Sequence, residues 1–114
     1  MEQDKTNVLR RKQFEANEKE TKVALLRTMI NDFDSMIAQL DEQIAAEEDR
    51  TKIKDPRHPA YSMFATAAAK RRQNLLISAA HTRSMFDLTK REFDQVTAQL
   101  HDLKPTHNNQ LSAA

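Results

Sequence analysis

Glycine is absent from all 114 residues. A compact globule without it would have to make every tight turn with strained residues or with Asn and Asp. A chain of long helices needs few turns and escapes that constraint. Cysteine is absent as well, which excludes a disulfide framework and thiol chemistry and fits a reducing cytoplasm. Without glycine there is no loop to cradle a phosphate. Aromatic residues are few, one Tyr and five Phe with no Trp. Charge of one sign is lacking too: the formal net charge is +1, so no global field favours nucleic acid or an anionic membrane. The longest apolar runs, such as Val23-Ala24-Leu25-Leu26, are too short to span a bilayer. The first residues, Met1-Glu2-Gln3-Asp4-Lys5, are charged and show no secretory signal.

What the chain does have is charge and rhythm. Asp, Glu, Lys and Arg make up 31% of it, a proportion suited to helices with polar outer faces and a thin apolar core. Val23, Leu26, Ile30, Phe33, Ile37, Leu40 and Ile44 recur by alternating threes and fours. That rhythm averages 3.5 residues, the repeat of a helix that keeps one seam against a partner helix. Val23, Ile30, Ile37 and Ile44 take position a of the heptad; Leu26, Phe33 and Leu40 take d. Running the heptad backward places Lys19, Ala16, Lys12 and Leu9 on the same seam, where a Lys stem lies along apolar surface with its ammonium in water.

A break follows. Asp55-Pro56 and His58-Pro59 each push the residue before proline out of the helical region and remove an amide donor. Pro59 suits the first position of a following helix. The second seam then reads Tyr61, Ala65, Ala68, Arg72, Leu75, Ala79, Thr82, Phe86, Thr89, Phe93, Val96, Leu100 and Leu103. The expected fold is all-α, a long two-helix antiparallel coiled-coil hairpin. Its helices cover about 7–50 and 60–104, capped first by Thr6 or Asn7, with a turn at 51–59. Residues 1–6 are expected to be flexible and 105–114 to form a disordered tail.

Reflecting one seam on the other about Pro56 sets Leu9 against Leu103, Ala16 against Val96, Leu26 against Phe86 and Leu40 against Arg72. Every a position then meets a d position. A shift by one whole heptad preserves that match, so the pattern leaves both registers open. Arg72 on a seam is a residue that fixes register at some cost in stability.

Little in this pattern points to chemistry. His58, His81, His101 and His107 lack the spacing of a metal site. Asp32, Asp34, Asp41, Glu42, Glu47 and Glu48 alternate with bases and read as a solvated face. A hairpin of two helices has no cleft for a catalytic pair, so no catalytic residue, metal or cofactor is expected and the chain reads as no enzyme. The triplets Arg10-Arg11-Lys12 and Lys70-Arg71-Arg72 lack interleaved aromatics and make a poor nucleic-acid site. Several apolar residues lie off the seam. Met29, Met36 and Met85 fall at g, Leu25 and Leu88 at c, and Phe14 and Ile77 at f, where two helices cannot cover them. Phe64 sits one residue before a seam position, close to the turn, and is the best anchor for a partner there.

Two stretches are not demanded by heptad logic: Asp55-Pro56-Arg57-His58-Pro59-Ala60-Tyr61 after Leu40–Glu48, and Ala67-Ala68-Ala69-Lys70-Arg71-Arg72-Gln73-Asn74-Leu75-Leu76. In them the chain resembles the FliJ-type flagellar export proteins in their alphaproteobacterial form, over most of its length. The resemblance implies an antiparallel coiled coil similar to the stalk of rotary ATPases, acting in flagellar type III protein export. The partners it implies are the export ATPase, the cytoplasmic domain of the export gate's membrane protein, and export chaperones. The location it implies is cytoplasmic, peripheral to the inner-membrane export apparatus, with no membrane insertion. It implies a partner-binding patch near the tip, at Tyr61, Phe64, Ala68 and, on the first helix, Gln39. The alternatives are a structural or chaperone-like coiled-coil adaptor with another partner and, more remotely, a helical arm for nucleic acid.

Overall fold

The computed structural model describes residues 2–103, and its ordered elements there are two helices. Helix α1 spans Glu2–Thr51 and α2 spans Met63–Asp102. The fold is all-α, a helical hairpin, with no strand among the described residues. Two compact units divide it. One joins the described residues up to Leu25 with those from Met85 onward, and the other is Leu26–Ser84.

The helix ends differ from those the sequence suggests. α1 begins at Glu2 rather than at a Thr6 or Asn7 cap. Gln3, Asp4 and Lys5 include no helix breaker, and Asp4 in the first turn suits the positive end of the helix dipole. α2 begins at Met63 rather than near Pro59, because Ser62 is its cap: the Ala65 amide donates to Ser62 Oγ at 3.1 Å. At the far end the Leu103 amide is shared between the carbonyls of Gln99 and Leu100, a tightened last turn that closes α2 at Asp102. The tail expected at 105–114 lies outside the described residues.

α1 stops just before Lys52, whose φ of 62° is left-handed. That conformation is the usual stop signal of a helix and is normally assigned to glycine, which this chain does not have. A Cβ there is crowded by the next carbonyl. Lys52→Gly is therefore expected to stabilise the protein by about 0.5–1 kcal/mol in urea unfolding, after the added freedom of the unfolded chain is counted. A destabilised variant would show that the lysine side chain is needed more than its backbone is strained.

Every seam position from Leu9 to Ile44 and from Tyr61 to Leu103 is buried or half-buried. In the unit that holds the turn, Ile37 and Leu40 of α1 and Ala65, Ala68 and Ala79 of α2 are buried. Arg72 lies half-buried and bonds through Nε to Asp41, while Arg83 bonds to Asp34 at 2.6 Å. In the other unit Ala16 clusters with Val96 and Leu100, and Leu9 packs on them. Lys19 reaches Glu92 at 2.7 Å, and Lys12 turns its head to Glu15 of its own helix. These pairs settle the register inside each unit. Ala16 beside Val96, and Asp41 beside Arg72, match reflection about Pro56; a heptad slip would carry each pair about 10 Å apart.

Two buried threonines interrupt the second seam, Thr82 and Thr89. The Thr82 hydroxyl donates to the Ser78 carbonyl of its own helix at 2.8 Å. At Thr82 the seam thus keeps a polar group satisfied without help from the opposing helix.

Candidate functional site

The turn is held more tightly than its prolines alone require. Asp55 Oδ1 accepts from the Arg57 amide at 2.9 Å, an Asx-turn. The Asp55 carbonyl accepts from the His58 amide, and the His58 carbonyl from the Tyr61 amide, both at 3.0 Å. His58 Nδ1 accepts from the Ala60 amide at 3.0 Å.

Two carboxylates of α1 then tie the loop down. Tyr61 donates its hydroxyl to Glu48 at 2.7 Å, and Ser62 donates to Glu47 at 2.8 Å. Arg50 closes on the same Glu47 carboxylate from the last turn of α1, at 2.6 Å. Ser62 therefore works twice, capping α2 and bridging to α1. The solvated face expected for Glu47 and Glu48 is corrected here: both are half-buried latches. The burial of Glu47 was readable in the sequence, because it takes the next d position after Leu40; its bond to Ser62, and the role of Glu48, were not.

The residues expected to bind a partner divide into two groups. Tyr61 is half-buried and bonded, and Ala68 is buried in the seam at 7% exposure. Both serve the hairpin's own packing. Phe64 is 56% exposed and Gln39 is exposed, so these two are the ones offered to solvent. Phe64 stands at g and Gln39 at c, positions on the same flank of the hairpin. Met36, Gln39, Gln43 and Arg71 line a shallow recess on that flank. The seam reading missed Met63, the first residue of α2, which is 87% exposed and sets a second apolar side chain beside Phe64. Asp34, Asp41 and Arg83 stand at e, on the opposite flank, which carries the two ion pairs between the helices of this unit, Asp41 with Arg72 and Asp34 with Arg83. His58, His81 and His101 are all exposed; among the described residues no three acidic or imidazole side chains converge.

The latch makes stability depend on pH. The Arg50 hydrogen bond, followed by that of Ser62, holds Glu47 below the ordinary carboxylate value. Lys19 does the same to Glu92. For both, the folded value lies below the unfolded one, so their contribution is complete above the unfolded carboxylate range. It is lost as pH falls through the folded values. On the alkaline side the bond to Glu48, with burial, raises Tyr61, and the bond to Glu92 raises Lys19. Their contributions are complete below the unfolded values and are lost as pH rises past the folded ones. Thermal melting is expected to show a plateau that falls below about pH 4 and above about pH 10. Glu47→Gln should flatten the acid limb; an acid limb unchanged in that variant would remove Glu47 from the account.

Fold and site together define a class: an antiparallel helix pair with a latched turn and, in the unit that holds the turn, ion pairs on one flank and Phe64 exposed on the other. No protein-family model matches the chain, and no curated protein or solved structure does. No helix among the described residues is long and apolar enough to cross a membrane.

Proposed function

We propose that this chain is a non-enzymatic component of the flagellar type III protein export apparatus. In this reading it is a helical stalk between the export ATPase and the export gate, and an escort for export chaperones, working in the cytoplasm at the inner membrane. The observation that carries the reading is Phe64, a large exposed ring beside the turn whose sequence resembles the family. It is supported by the hairpin fold and by a turn latched firmly enough to present that ring at a fixed place. Gln39, on the same flank, is the second contact.

The test is Phe64→Ala. The ring is spared by the fold, so helicity and melting should stay close to those of the parent chain. Removing an interface anchor of this size costs about 2 kcal/mol, roughly a thirtyfold loss of affinity. Pull-down of the gate's cytoplasmic domain and swimming motility should fall accordingly. A variant that folds, binds the gate and swims normally overturns the assigned contact. Failure of the chain to co-purify with either the export ATPase or the gate overturns the export reading and leaves a coiled-coil adaptor for another partner.

A further inference from the structure

A second apolar strip lies on α1, inside the unit that joins the two chain ends. Phe14 is 65% exposed and Leu25 is 58% exposed. They are eleven residues apart, three helical turns to within about 20°, so both point from one line of the helix with about 16 Å between them. They line one shallow groove with Asn17, Glu18, Thr21 and Lys22. Glu18 and Lys22 are both exposed on this face.

The order of these groups is self-complementary. Read toward the C-terminus it runs apolar, acid, base, apolar. Laid antiparallel on itself it sets Phe14 over Leu25 and Glu18 beside Lys22, and a two-fold axis repeats both contacts. A parallel pairing would instead set Glu18 against Glu18 and Lys22 against Lys22. We propose that this face of α1 binds a second copy of the same chain, antiparallel and two-fold symmetric, through Phe14, Glu18, Lys22 and Leu25. Such an interface is isologous, as in most small homodimers. Three turns of helix on each side bury less than the area of about 1,000 Å² that marks a stable assembly. The dimer is therefore weak and concentration-dependent. Its formation requires no export partner.

Sedimentation equilibrium on the whole chain, from about 10 μM to about 1 mM, tests this. The average mass should climb from 13.2 kDa toward twice that value. Glu18→Lys and Lys22→Glu should each move the midpoint at least about tenfold higher in concentration, a change of about 1.4 kcal/mol. The double variant E18K/K22E should restore the parent midpoint, because each copy then carries the complementary pair reversed. Phe14→Ala with Leu25→Ala should stay monomeric throughout, with helicity and melting unchanged. A parent chain that is monomeric at every concentration overturns the proposal and assigns the strip to a different partner. A dimer indifferent to the Phe14 and Leu25 substitutions, or a double variant that fails to recover, overturns it as well.

Discussion

Leu40→Ala is expected to lower the stability of the protein by about 3 kcal/mol, measured as the loss of unfolding free energy in urea. Leu40 takes a d position and is 8% exposed. Truncation removes three carbons from a seam only one residue deep, where no second layer can move in to fill the space. A domain of this size is held by roughly 5–15 kcal/mol in total, so the loss is a large share. Leu25→Ala supplies the control. The same atoms are removed from a residue more than half exposed, and the change should stay within about 0.5 kcal/mol. Comparable losses at the two sites would mean that the 3-4 seam is not the core.

Ala79→Leu is expected to be nearly as damaging, for the opposite reason. Ala79 has no exposed surface, and the register of its unit sets it across from Phe33, a half-buried seam residue. The methyl group is what leaves room for the ring. Three added carbons force off-rotamer side chains or a wider helix spacing, at about 2 kcal/mol. If the two residues are matched in size, Phe33→Ala should relieve part of the strain. The double variant should then lose less than the sum of the single losses, by at least about 0.5 kcal/mol. Simple additivity would place some other residue against Ala79.

These two cases show why the fold was so legible. A two-helix hairpin writes its core as one line, and the alternation of threes and fours names each core position without reference to anything distant. Even the polar members, Lys12, Lys19 and Arg72, obey it, since their stems pack while their charged heads reach Glu15, Glu92 and Asp41. The register was open by one heptad because an a position meets a d position in either case. Only specific partners, such as Asp41 with Arg72, close that choice.

The site was less legible, because turns and flanks obey no period. Glu47 and Glu48 stand in a run of charges, and nothing adjacent in sequence announces that Ser62 and Tyr61 will reach back to them. Ser62 was overlooked as a cap because Pro59 offers the more familiar helix start. Ala68 was drawn into the site by resemblance alone, while its burial follows directly from its place on the seam. Phe64 stands one residue off the seam beside the turn, and its exposure there is what the heptad leaves open and the structure supplies.

Among the described residues no large side chain is fully buried, and much of the innermost seam is alanine or threonine. The heat capacity gained on unfolding comes mainly from apolar surface newly met by water. A core of small, half-covered groups releases little of it per residue. The calorimetric signal should therefore be broad and shallow, with a low enthalpy at the midpoint. The free-energy curve should be flatter in temperature than that of a globular domain of the same length, so that cooling costs this hairpin less stability than it costs a protein with a deep core.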